Sequence, residues 1–179
     1  MKKEGLLYEI VSFLFTLAVS FICVFAFTHW IAKPVKVEGS SMYPTLKNHD
    51  IAFSGLWNKD KIERFDIVVI KMDDKDKYIV KRVIGLPNET VAVYDDVLYI
   101  NGQPVEQPFL DEEYVLSQQI NGIFTYDIEE IQLNDDEYYV LGDNRVNSQD
   151  SRYYGPFHQS QIVSKDFLII YPFNRIGIQ

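Results

Sequence analysis

The most conspicuous feature of the hydropathy pattern lies at the start of the chain. From Ile10 to Ala32 no charged side chain interrupts IVSFLFTLAVSFICVFAFTHWIA. A helix needs about 20 apolar residues to cross roughly 30 Å of hydrocarbon, and this run has that length. A core helix of a soluble domain would be shorter and would carry a polar stripe, whereas here Ser and Thr are merely scattered. A cleaved leader has an apolar region of about 7–15 residues that ends at a small-x-small site. This run is longer, and no Ala-x-Ala follows it. The pattern predicts an uncleaved transmembrane anchor over 10–32, with 1–9 as a cytoplasmic tail. Lys2 and Lys3 favour a cytoplasmic N-terminus, although Lys33 and Lys36 reduce the contrast. Trp30, beside His29, stands where an interfacial aromatic is expected. The remainder, 33–179, is then extracytoplasmic. Ser41 lies nine residues beyond Ala32, at most about 30 Å of extended chain, so it stays close to the membrane surface.

Beyond the anchor the period changes from helical to two. Val35-Lys36-Val37-Glu38 alternates after Pro34, which should end the helical region. Asp66–Lys71 and Lys77–Ile84 read as two strands of a hairpin around the charged cluster Asp73-Asp74-Lys75-Asp76-Lys77. Val91–Tyr94 and Val97–Ile100 flank Asp95-Asp96, and Asn101-Gly102 is a hairpin-turn signal. Glu137–Leu141 and Phe167–Tyr171 are further strands, while 106–136 is acidic, weakly patterned and reads as a loop-rich excursion. Short strands separated by turn residues predict a mainly β protein: a single transmembrane helix, then an all-β body with a barrel-like or sandwich arrangement.

Composition narrows the chemistry. The 179 residues carry a formal charge of −9 with lysine and arginine dispersed, which argues against a nucleic-acid partner. The one cysteine, Cys23, lies in the apolar run, so neither an internal disulfide nor a cysteine zinc site is possible. Three histidines, His29, His49 and His158, are too dispersed to suggest a metal cluster.

The candidate chemistry begins at Gly39-Ser40-Ser41-Met42-Tyr43-Pro44-Thr45-Leu46. A serine hydroxyl is a weak nucleophile until a neighbouring base takes its proton. His49 and His158 both sit on loop-like segments from which either could reach a serine, though no Gly-x-Ser-x-Gly accompanies them. A lysine is the alternative. Its amine is ordinarily protonated at neutral pH, but burial removes the solvation that favours the charged form. Lys81 is embedded in YIVKRVIGL and shares a strand face with Ile79 and Val83. Arg82 shares the other face with Val80 and Ile84, but a guanidinium stays protonated and cannot serve as a base, so Arg82 reads as a paired structural charge. The alternative reading of Lys81 is a snorkelling edge-strand lysine.

Three segments, SMYPTL (41–46), YIVKRVIGLP (78–87) and GDNRVNSQDSRYYG (142–155), resemble in order and spacing the signature boxes of type I signal peptidases, the bacterial leader peptidases. The similarity spans nearly the whole chain, and the short body with one anchor resembles the Gram-positive members. It implies a signal-peptidase/LexA-like β fold and a membrane-anchored Ser-Lys endopeptidase that removes signal peptides from secreted preproteins. In that family's pattern the serine before methionine, Ser41, is the nucleophile, Lys81 is the general base, and Ser148 orients the lysine amine. Asp143, Arg145, Asp150 and Arg152 match charged positions that brace the site, consistent with the need of buried charges for partners. The resemblance implies no metal or organic cofactor, and its partners are signal peptides and the lipid bilayer. Two shallow apolar pockets beside the nucleophile are expected to select small residues. Gly39 departs from the pattern, since a hydroxyl residue there often contributes to the oxyanion hole; the Ser41 N–H must serve, with Gly39 or Ser40 as the second contributor. Asn88-Glu89 replaces the usual Gly-Asp. A catalytically silent homologue that binds signal peptides at the membrane is the alternative, though such a relative is expected to lose the nucleophile or the base.

Overall fold

The computed structural model describes residues 2–56, 61–73 and 77–178. Helix α1 (Lys2–Ala26) runs into a single π turn, Phe27–Ile31, which closes where the Ala32 N–H reaches the Phe27 carbonyl. The stretch Leu7–Ile31 is long and apolar enough to cross a membrane, and none of it is buried against the rest of the chain. Helix α1 begins at Lys2, ahead of the expected anchor 10–32, because no proline interrupts the short tail. At the other end Ala32 is not helical; it is extended, buried, and the first residue of strand β1 (Ala32–Lys36). Pro34 therefore sits inside a strand rather than ending a helix. β1 lies at a sheet edge, where a residue without an N–H is tolerated.

The other strands are β2 (Ile51–Gly55), β3 (Ile67–Lys71), β4 (Tyr78–Gly85), β5 (Thr90–Tyr94), β6 (Val97–Ile100), β7 (Gln103–Val105), β8 (Ile128–Gln132), β9 (Glu137–Leu141), β10 (Phe157–His158), β11 (Ile162–Tyr171) and β12 (Gly177–Ile178). Among the described residues they form two sheets. The larger has the order β1-β2-β11-β3-β4-β9-β10, with β12 also paired to β11; the smaller has the order β7-β6-β5-β8. The β3–β4 hairpin pairs Val68 with Lys81 and Ile67 with Arg82, while 74–76 of the charged cluster at its tip lie outside the described residues. The turns at Asp95-Asp96 and Asn101-Gly102 have positive φ at both central residues, as tight two-residue hairpins require.

The core follows from strands that are apolar on both faces. In β3, Ile67 and Val69 join one cluster with Met42, Leu46, Phe167 and Ile169, while Val68 and Ile70 join another with Val83, Val140 and Phe157. In β9, Tyr138 and Val140 face that second cluster, and Tyr139 and Leu141 face a third with Val91, Val93 and Leu98 of the smaller sheet. Gly85 permits the close approach of the two sheets: a Cβ there would overlap Val91 Cγ2 and come within 2.8 Å of Leu133 Cδ1.

The excursion 106–136 is more ordered than its sequence suggests. It holds helix α2 (Glu112–Gln118) and β8, which pairs with β5. Asp111 caps α2 by accepting from the Tyr114 N–H, with Glu112 and Glu113 in the first turn; such carboxylates stabilise a helix N-terminus.

Candidate active site

The segment carrying Ser41 is a turn between β1 and β2, and its shape follows from what it buries. Met42 and Leu46 insert into the first core cluster, and the Leu46 N–H closes on the Met42 carbonyl at 2.8 Å. Those two anchors leave Ser41 half-buried on the rim of a cleft of about 680 Å³. The residues from Val35 to Met42 form one wall, Lys77–Lys81 another, and Val146–Gln149 with Tyr154 close the end. Val35, Val37, Val69, Ile79 and Val80 provide an apolar lining next to the serine.

Lys81 is 3% exposed, and its Nζ donates to Ser41 Oγ over 2.7 Å. Burial is the main cause that lowers its amine from 10.5 to about 8; Asp150 and Asp143 oppose that shift, while Lys77 and Arg152 add to it. Neither histidine contacts the serine. His49 is exposed beside the Asn48 amide, and His158 pairs with Asp136 at 3.0 Å on the surface. Arg82 is paired as its sequence context suggested: Nε and Nη2 donate to the two oxygens of Asp143 at 2.8 and 2.7 Å, and its guanidinium lies 4.2 Å from the centre of the Phe109 ring.

The remaining expected residues converge on the loop after β9. Asp143 also accepts from Thr45 Oγ1 at 2.6 Å, which ties the arginine pair to the Ser41 turn. Asp150 is fully buried and accepts from the Gly142 N–H and, at two points, from the Arg152 guanidinium. Burial alone would raise its carboxyl, but the Arg152 bonds and charge and the Gly142 amide outweigh it and hold the group below the usual range. Arg145 is buried without a carboxylate partner among the described residues; burial lowers it to about 10, and it remains a cation at neutral pH. Ser148 Oγ is buried near enough to Asp150 to help keep it ionised, yet meets the geometry of a hydrogen bond with no described residue, Lys81 included. A Cβ on Gly142 would overlap Ser148 Oγ and the Ser41 carbonyl oxygen, so only glycine fits between them.

Gly39 has φ +93° and donates to Asn48 Oδ1, which turns the chain into the cleft. No hydrogen bond among the described residues uses the Ser41 N–H, and Ser40 Oγ accepts from Asn147 Nδ2 at 3.0 Å. Asn144 was not singled out by the sequence, yet its N–H holds the Ser41 carbonyl at 3.0 Å and its Nδ2 holds the Ser40 carbonyl at 3.1 Å. Its place in Gly-Asp-Asn-Arg was the available signal. Thr45, inside the first box, offered a similar one. Among the described residues no group of three or more His, Cys, Asp or Glu side chains could hold a metal ion.

A half-buried serine hydroxyl thus lies within hydrogen-bond distance of a buried lysine amine whose pKa is lowered, so a neutral amine there is placed to accept the hydroxyl proton. Comparison with known proteins identifies the group. The family model described as signal peptidase, peptidase S26, matches residues 8–171. The chain belongs to the signal peptidase S26 family. It is 40% identical over 153 residues to signal peptidase I S of Bacillus subtilis (strain 168), covering 83% of this chain and 82% of that one. It is 34% identical over 177 residues to signal peptidase I of Bacillus licheniformis, covering 97% and 94%. The crystal structure of a signal peptidase I from Enterococcus faecalis V583 superposes with a TM-score of 0.53 at 34% identity, over 58% of this chain and 95% of that one. As a signal peptidase family member the chain is a serine endopeptidase, and its fold is the expected mainly β body behind an N-terminal apolar helix.

Proposed function

We propose that this chain is a membrane-anchored signal peptidase in which Ser41 is the nucleophile and Lys81 the general base. The observation that carries the reading is the 2.7 Å contact between Ser41 Oγ and the buried Lys81 Nζ. The neutral amine takes the hydroxyl proton as Ser41 Oγ bonds to the scissile carbonyl carbon. The tetrahedral intermediate collapses, the C–N bond breaks, and Lys81 returns that proton to the departing amine. Lys81 then takes a proton from water, whose oxygen attacks the acyl-enzyme, and Ser41 leaves with the proton restored. The oxyanion is held by the Ser41 N–H, which has no other described partner, and by the Ser40 hydroxyl. Asn147 Nδ2 occupies a lone pair of Ser40 Oγ and leaves its hydrogen free to donate. Ser148 Oγ, buried without a bond, is available to the lysine amine when its proton moves. Asp143, Arg145, Asp150 and Arg152 brace the loop.

The apolar helix supports a single span with a cytoplasmic N-terminus and the β body on the extracytoplasmic side of the cell membrane. Anchoring keeps Ser41 near the surface where a membrane-inserted signal peptide ends, which raises the encounter frequency. The test is cleavage of a preprotein by the full chain in detergent micelles. Ser41→Ala and Lys81→Arg are both expected to be inactive and folded. Substantial cleavage by Lys81→Arg rules out the lysine base, and inactivity of the unmodified chain favours a silent binder. Labelling of Glu130→Cys by a membrane-impermeant thiol reagent in intact cells tests the orientation, and its absence would reverse it.

A further inference from the structure

The segment 106–136 contributes no group to the cleft, yet it contacts both buried arginines beside it. Arg145 donates from Nη2 to Gln107 Oε1 at 2.6 Å and from Nη1 to Thr125 Oγ1 at 3.1 Å. Its Nε grips the Gly142 carbonyl at 3.0 Å. Phe109, from the same segment, lies against the Arg82 guanidinium. Thr125 is itself fixed, since its N–H and that of Phe124 both donate to Asp96 in the β5–β6 turn. Tyr114 of α2 packs against the ring of Tyr43, two residues after Ser41, with centroids 5.2 Å apart.

We infer that this segment is a positioning element for the nucleophile, acting through Arg145. The Ser41 turn belongs to no sheet or long helix, so beyond the Met42 and Leu46 anchors the direction of its side chain depends on a few long-range hydrogen bonds. Three of them come from consecutive residues of the loop that Arg145 holds: Asp143 accepts from Thr45, and Asn144 holds the carbonyls of Ser40 and Ser41. Arg145 sits next in sequence and closes the loop on Gly142. A buried guanidinium without a carboxylate partner depends on neutral acceptors, and loss of one leaves N–H groups unsatisfied in a dry site. The loop can relieve that by moving toward solvent, and the bonds from Asn144 move with it. The effect reaches Ser41 orientation without touching Lys81 or the substrate.

This inference rests on Ser41 being the nucleophile. The test uses the full chain in detergent micelles and a peptide substrate, with kcat and KM measured well below the melting temperature of each variant. Gln107→Leu and Thr125→Val are expected to lower kcat about tenfold, because small misplacements of reacting groups are costly. KM should stay within about twofold, and the pH midpoint of the rate should not move. Gln107→Glu keeps the acceptor and should return kcat to within about twofold of the starting enzyme. Wild-type kcat in both Gln107→Leu and Thr125→Val overturns the inference, as does equal impairment of Gln107→Glu and Gln107→Leu. If Gln107→Leu does not fold, Thr125→Val decides. Ser41→Ala in the same assay separates the two claims: residual turnover there rejects the nucleophile, whereas an inactive Ser41→Ala beside unchanged Gln107→Leu and Thr125→Val rejects only the relay.

Discussion

The pH dependence of cleavage is the most direct readout of Lys81. An amine at its ordinary 10.5 is neutral in about one molecule in three thousand at pH 7, whereas one lowered to about 8 is neutral in roughly one in ten. Burial therefore raises the available base by roughly 300-fold, worth on the order of 3 kcal/mol. The acid limb of kcat/KM should rise about tenfold per pH unit, bend near pH 8 and level off by about pH 9. Lys77 offers a second test, because it stands at the cleft and its charge contributes to the depression. Lys77→Gln should move the midpoint up, reduce the rate at pH 7 and leave the alkaline plateau unchanged. The assay is initial-rate cleavage of a peptide with small residues at the first and third positions before the cut. It runs from pH 5.5 to 10 at constant ionic strength, with the full chain in micelles and its folding checked at each pH. A flat profile below pH 9, or a midpoint at 10 or above, would refute the buried-base account. A downward shift in Lys77→Gln would refute its electrostatic part.

The same lysine has a stability cost with a defined pH window. The folded-state pKa lies below the unfolded one, so between about 8 and 10.5 the unfolded chain binds more protons and stability rises with pH. Below about 8 the penalty is fully present, so Lys81→Met should be more stable at pH 7 by about 2 kcal/mol after loss of the Ser41 hydrogen bond. Denaturant titration at pH 7 and pH 10.5 checks this, and a variant no more stable than the parent at pH 7 contradicts it. Gly142→Ala should lower kcat by at least tenfold and destabilise the fold by about 1–3 kcal/mol, since its Cβ overlaps the Ser41 carbonyl and Ser148 Oγ. Wild-type turnover in that variant would show that the loop has room to shift.

How much of this was legible in the sequence depended on whether a residue broke its local pattern. β3 and β4 were readable because their apolar runs are bounded by charge, and Lys81 was conspicuous because it interrupts such a run. β2 was not read as a strand: Ser54 is polar in sequence but fully buried, where its Oγ bonds to Ser164 Oγ at 2.8 Å. α2 is too short, at seven residues, for its period to mark a helix, although Asp111 before it is a capping residue type. Thr45, Asn144, Gln107 and Thr125 are neutral and polar, with partners 20 to 104 residues away. Nothing in hydropathy marks such a residue. Only the family boxes reached Thr45 and Asn144, and Gln107 and Thr125 lie outside them.

The charges around Lys81 must satisfy two conflicting demands. The loop from Gly142 to Arg152 needs carboxylates, because Asp150 holds the Gly142 N–H and Asp143 holds Thr45. Each carboxylate also raises the pKa of the neighbouring amine and works against the base. Arginine pairing reconciles the two. Asp143 is bound by Arg82 and Asp150 by Arg152, each through two hydrogen bonds, so each pair presents little net charge while its oxygens remain good acceptors. Burial then dominates Lys81, as it must for an amine at about 8 within reach of two carboxylates. Under the proposed mechanism, an arginine at 82 or 152 therefore supports the base as well as the fold. Removing it would leave a buried carboxylate unpaired and add a negative charge where a neutral amine is required.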